Sequence, residues 1–61
     1  MKNFSFIIPI QFINQTITFL NENDYQINEN ESDFSLGFFT LILNENEIPS
    51  IQDFIQEIQY H

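Results

Sequence analysis

The residues able to do chemistry in this chain are almost all carboxylates. Nine Asp and Glu stand against a single Lys and no Arg, and the only His is the last residue, His61. Most of the acids fall in a tetrapeptide used repeatedly: "NENE" at Asn28–Glu31 and Asn44–Glu47, and "NEND" at Asn21–Asp24. The chemistries open to such residues are cation binding, acid/base catalysis and electrostatic recognition of a basic partner.

Calcium is the first to test. An EF-hand register starting at Asn28 places Asn28, Asn30 and Ser32 at alternate ligand positions. Its sixth position is then Asp33, where a Gly is needed for the turn, and its twelfth is Phe39, where a bidentate Glu is needed. The register fails. His61 and Glu57 form an i, i+4 pair, but two ligands do not make a transition-metal site. No metal and no cofactor is expected. Catalysis fares no better. The chain has no Cys, no Arg and no internal His, and carboxylates in polar loops lack the burial that tunes a pKa for proton transfer. An enzyme is not expected.

Recognition of a basic surface remains. The formal net charge of −8 on 61 residues repels nucleic acid and anionic membrane and attracts cationic protein. The Asn-, Ile- and Phe-rich composition suggests AT-rich codons, which would normally bring lysine as well. Lys2 nevertheless stands alone. Acidity that merely keeps a Phe-rich chain in solution is the simpler account.

The carboxylates must be positioned by a small fold. A chain of this length forms one domain, residues 1–61, with no disulfide or thiolate metal site to staple it. Eight Phe and eleven Ile supply a core and argue against disorder. Phe4, Phe6, Ile8, Ile10 and Phe12 alternate, which predicts a strand ending near Pro9 or lying at a sheet edge. Ile10, Ile13, Ile17 and Leu20 share one helical face, so a helix is expected over the next segment, closed by a left-handed Asn21 or Asn23. The β-branched run Thr16–Thr18 makes a strand over Gln15–Leu20 its rival.

Tyr25–Asn28 reads as a short strand and Phe34–Leu43 as a long one, with "NENESD" as the hairpin loop between them. Gly37 inside the long strand predicts a bulge or a close backbone approach. At the C-terminus Ser50 is the expected N-cap, with Asp53 as an imperfect capping-box acid and Pro49 and Phe54 as a hydrophobic staple. Ile51, Phe54, Ile55 and Ile58 then form the buried stripe of a helix running to about Tyr60.

The predicted fold class is α+β: a small antiparallel sheet of about three strands with two helices on one face, in the order β-α-β-β-α. The alternative is a four-stranded meander followed by one C-terminal helix. In either, Glu22, Asp24, Glu45 and Glu47 gather at one end of the sheet. Glu29, Glu31 and Asp33 mark the other, up to about 30 Å away along a ten-residue strand, and Glu57 lies between or beside them.

These eight residues are the candidate partner-binding set. The expected function is a small acidic inhibitor that imitates a nucleic-acid strand and fills the basic groove of a nucleic-acid-processing protein, of the type phages and mobile elements use against host defence. The alternatives are an antitoxin- or immunity-type module, or an assembly protein that forms a homo-oligomer through Phe34–Leu43. Direct nucleic-acid binding and membrane insertion are not expected. No secretory signal is recognised at the N-terminus, so the expected location is the cytoplasm.

Overall fold

Pro9 and Gly37 decide where the strands stop. In the computed structural model, which describes residues 1–59, β1 runs Lys2–Ile7 and ends before Pro9. A 3-10 turn at Ile10–Phe12 leads into α1, Ile13–Glu22. Two residues, Gln26–Ile27, make β2, and β3 spans Phe38–Leu43. A further 3-10 turn, Glu45–Glu47, opens α2, Ile48–Gln59. The sheet is antiparallel with order β1-β3-β2, so β1 is an edge strand and β3 the centre. This is the α+β arrangement with a helix, not a strand, after β1. The expectations for Tyr60 and His61 lie outside the described residues.

The helix prevails over the rival strand because Thr16 is accommodated inside it. Its side chain is fully buried and its hydroxyl donates to the Phe12 carbonyl oxygen at 2.8 Å, so it brings no unpaired polar group into the core. Both helices pack on the face of the sheet that carries Phe4, Phe6, Phe39, Leu41 and Leu43. Leu20 from α1 and Ile51 and Ile58 from α2 complete the buried cluster. Phe19 and Phe54 stack across the two helices with centroids 3.9 Å apart, a pair worth about 0.5–1.5 kcal/mol beyond its buried area.

Ile10 departs from both of its sequence patterns. It is 69% exposed, because the 3-10 turn after Pro9 rotates it away from the sheet and from the α1 stripe.

The expected strand over Phe34–Leu43 is only half a strand. Phe34–Leu36 form a 3-10 turn and Gly37 takes a left-handed φ of 73°. The hairpin turns here, closed by paired main-chain bonds between Asp33 and Phe38, both 2.9 Å. Asp33 caps the turn by accepting from the Ser35 amide at 3.1 Å and the Ser35 hydroxyl at 2.6 Å. Gly37 is needed twice over. Its φ suits glycine, and a Cβ there would overlap the Ile8 carbonyl oxygen, while its own carbonyl accepts from Ile8 N–H at 2.8 Å. The close backbone approach is therefore present, but as part of the turn.

"NENESD" is correspondingly not the loop. Asn28 still pairs with Thr40, its N–H donating to the Thr40 oxygen at 2.8 Å. Glu29–Glu31 then swell out of the strand as a 3-10 turn, and Ser32 rejoins it, its Oγ accepting from Thr40 N–H at 2.9 Å. Thr40 Oγ1 donates to the Glu31 carbonyl at 2.8 Å and bonds the Ser5 hydroxyl at 2.8 Å. That network covers Thr40, only 3% exposed, on the sheet face the helices leave open.

α2 begins earlier than the Ser50 cap predicts. Asn44 caps the segment. Its N–H donates to Glu47 Oε1 at 3.0 Å, and Glu47 N–H donates to the Asn44 carbonyl at 2.9 Å. Pro49 has no N–H for the carbonyl of Glu45, which explains why the first turn is 3-10 and the α-helix starts at Ile48. Ser50 and Asp53 are thus exposed helical residues, without the capping role, and Pro49 lies in the helix's first turn rather than in a staple before it. Substitution of Glu47 by Ala is expected to cost about 1 kcal/mol of unfolding free energy, whereas Ser50→Ala should fall within about 0.5 kcal/mol of the parent. Urea denaturation of the two variants separates the two cap positions. A larger loss at Ser50 refutes the Asn44–Glu47 start.

Candidate acidic interface

The three tetrapeptides have three different structural jobs. Asn44–Glu47 starts α2, as described above. Asn21–Asp24 ends α1. There Tyr25 N–H donates to the Leu20 carbonyl at 2.9 Å and Asp24 N–H to the Asn21 carbonyl at 3.3 Å, the bond pair of a Schellman cap. Asp24 takes the left-handed position, φ 59°, in place of the expected Asn21 or Asn23. Asn23 instead donates its side-chain amide to the Phe19 carbonyl at 2.8 Å. Phe19 and Tyr25, 6.0 Å between centroids, make the apolar contact that accompanies such caps. Asn28–Glu31 is the bulge beside Thr40.

These jobs fix where the charge goes. Gln26 pairs with Ile42, so Glu22 and Asp24 lie at the end of the sheet where β3 finishes, as do Glu45 and Glu47. Glu29 and Glu31 are elsewhere than expected. They sit at the height of Thr40, midway along β3, and only Asp33 reaches the far end, opposite Phe38. The strand has six residues rather than ten, so the two ends are about 17 Å apart along it. Glu22, Asp24, Glu29, Glu31 and Asp33 form a band down the β2 side of the sheet, rather than two separated poles, whereas Glu45 lies against Lys2 at the β1 side. Glu57 projects from the last turn of α2, outside that band.

The eight are not equally free. Glu45 pairs with Lys2, its Oε1 2.9 Å from Nζ, with both side chains more than half exposed. Glu47 and Asp33 are held by their capping bonds. Glu22, Asp24, Glu29, Glu31 and Glu57 are exposed and make no side-chain hydrogen bond among the described residues. Lys2, the single Lys or Arg of the chain, thus lies against Glu45.

The helix dipoles sharpen the distinction. Glu45 and Glu47 stand at the positive N-terminal end of α2, where carboxylates are favoured. Glu22 and Asp24 stand at the negative C-terminal end of α1, and Glu57 at that of α2, with no basic residue in either last turn. Charge in such positions costs about 0.3–1 kcal/mol per group at low salt. Asp24 adds the strain of a non-glycine left-handed backbone. Among the acids free to meet a partner, Glu22, Asp24 and Glu57 are thus ones that local structure disfavours.

No three His, Cys, Asp or Glu among the described residues gather to hold a metal ion. No helix among them is long and apolar enough to cross a membrane. The apolar surface expected of Phe34–Leu43 is smaller than its sequence suggests, because Phe39, Leu41 and Leu43 are buried under the helices and Phe38 and Ile42 are half-buried. Large apolar side chains exposed instead are Ile7 at 66%, Ile10 at 69% and Leu36 at 66%, near the end of the sheet where β1 stops.

Scans against protein-family models, curated proteins and solved structures found no match to this chain.

Proposed function

We propose that the protein is a small acidic inhibitor that occupies the basic groove of a nucleic-acid-processing protein in place of the nucleic acid. The supporting observation is the band of exposed carboxylates, Glu22, Asp24, Glu29 and Glu31, which lie along the β2 side of the sheet without a side-chain partner among the described residues. A nucleic-acid-binding groove gains affinity by exchanging phosphate counterions for Lys and Arg. Carboxylates held at fixed spacing exploit the same cations. The neighbouring Asn21, Asn23, Asn28 and Asn30 add neutral hydrogen-bonding groups at the margins of the band. Glu45, Glu47, Asp33 and Glu57 join the contact as secondary charges. A target in the cytoplasm, such as a host-defence nuclease met by a phage or mobile element, fits this reading. An antitoxin-type module differs only in the identity of the basic protein. Either way the protein itself performs no catalysis.

Pulldown from host lysate, with and without nuclease, identifies the target. Competition titration then tests the mode of binding. Duplex or single-stranded nucleic acid is expected to displace the protein, and the affinity should fall steeply between low and moderate salt, because surface charge steers and holds the complex. A complex indifferent to both nucleic acid and salt refutes the imitation.

A further inference from the structure

We propose that β1 is the seam of a homodimer: two copies join antiparallel along their β1 edges, about a two-fold axis through Ser5, into one sheet ordered β2-β3-β1-β1-β3-β2. This goes beyond the proposed function and does not depend on it.

The strand is open for pairing. It is the outer strand of the sheet and bonds only to β3. Ile8 N–H donates to Gly37 across that pair, and antiparallel bonding alternates residue by residue. Phe4 and Phe6 therefore turn their main chains inward, while Asn3, Ser5 and Ile7 turn N–H and C=O to the outside. Of the usual devices that blunt an edge, only a Lys at the start of the strand is present. The six-residue strand holds no Pro, its register with β3 is unbroken, and its one charge, Lys2, is drawn to Glu45.

The residue pattern is self-complementary about Ser5. With Ser5 opposite Ser5, Asn3 faces Ile7 of the second copy, and the outward amides and carbonyls form about six bonds. On the helix-covered face Phe4 then meets Phe6 of the second copy, twice by symmetry. Both rings are half-buried in one copy, 5.9 Å apart, with Phe6 already stacked on Phe39 at 5.4 Å. The second copy covers the flank they leave open, and it brings Asn3 beside Ile7, which is 66% exposed. Such closed isologous pairing ends the edge instead of propagating it.

Charge selects the same approach. Two bodies of net charge −8 repel each other from most directions. All nine carboxylates follow residue 21, and the Glu29–Glu31 bulge lies on the β2 side of β3. β1 itself holds no acid, and Glu45, the carboxylate beside it, lies against Lys2. The dimer turns the acidic bands outward, to opposite margins of the joined sheet.

Sedimentation equilibrium on the full chain is expected to give twice the monomer mass, with dissociation weakened by added salt as the mutual repulsion is screened. The chain has no cysteine, so single cysteines report the register. Ser5→Cys should oxidise to a covalent dimer, since directly opposed Cα atoms at about 5.5 Å fall within disulfide range. Asn3→Cys and Ile7→Cys should each cross-link poorly alone, because like positions are about 13 Å apart in this register. Their mixture should cross-link readily, and both sites are exposed, so neither substitution threatens the fold. Circular dichroism confirms folding of each variant. A wild-type monomer at high concentration overturns the proposal. So does a dimer in which the mixed variants cross-link no better than either alone. Loss of target binding in Ser5→Pro by a chain that is monomeric when free would assign the edge to a strand of the target, and likewise overturns the second copy as its occupant.

Discussion

Gly37→Ala is expected to remove most of the protein's stability. The reasons add up at one atom. A left-handed φ of 73° costs an L-residue about 1–2 kcal/mol. The new methyl would overlap the Ile8 carbonyl oxygen, which belongs to backbone and cannot rotate away. Relief requires the turn to lift from the end of β1, and that breaks the Ile8 N–H to Gly37 bond at 2.8 Å. Ile8, 1% exposed, would lose its place in the core at the same moment. The total loss is about 3 kcal/mol or more. A domain this small without disulfide or metal holds only about 3–5 kcal/mol in all. Thermal melting by circular dichroism checks the expectation, with Ser35→Ala, on the exposed side of the same turn, as the mild comparison. A Gly37→Ala protein that melts within a degree or two of the parent shows that the turn does not press on Ile8.

What the sequence made legible follows the range of the interactions involved. Period-two alternation at Phe4–Ile8 and the stripe of Ile51, Phe54, Ile55 and Ile58 are local patterns, and both elements appear with those residues turned to the core. The hairpin lies later than the sequence pattern suggests because "NENESD" carries a stronger polar signal than "DFSLG". The deciding facts are long-range: the Ser32 and Thr40 hydroxyls replace ladder bonds, so the strand can absorb three polar residues as a bulge. The α2 cap differs from its expected position for a related reason. Ser50 followed by Asp53 is a legitimate pattern, but Asn44 followed by Glu47 fits the same rule better, and Pro49 is compatible with either start. Taking the repeated tetrapeptide as possible capping chemistry would have found it. The candidate site was legible as composition. Its division into held and free carboxylates is not, since Lys2 meets Glu45 only through the pairing of β1 with β3, which sets it opposite Leu43.

That division determines which charges to remove. Neutralising Glu22, Asp24, Glu45 and Glu47 together would confound binding with stability, because Glu47 caps α2 and Glu45 holds Lys2. The informative variant is Glu22→Gln, Asp24→Asn, Glu29→Gln and Glu31→Gln, all exposed positions whose side chains make no internal bond among the described residues. Its affinity for the target is expected to fall about 100- to 10,000-fold, or about 3–6 kcal/mol, if those carboxylates meet desolvated Arg or Lys in the groove. Its stability should move the other way. Glu22 and Asp24 face the negative end of α1, so removing their charge relieves an unfavourable dipole contact, and Asn accepts the left-handed position of Asp24 more readily than Asp does. A rise of a few degrees in melting temperature at low salt is the expected size, from about 0.3–1 kcal/mol per dipole contact. Opposite changes in affinity and stability identify charge retained for a partner at the expense of the fold. If the variant binds the target as tightly as the parent, the band serves solubility alone and the imitation of nucleic acid is wrong.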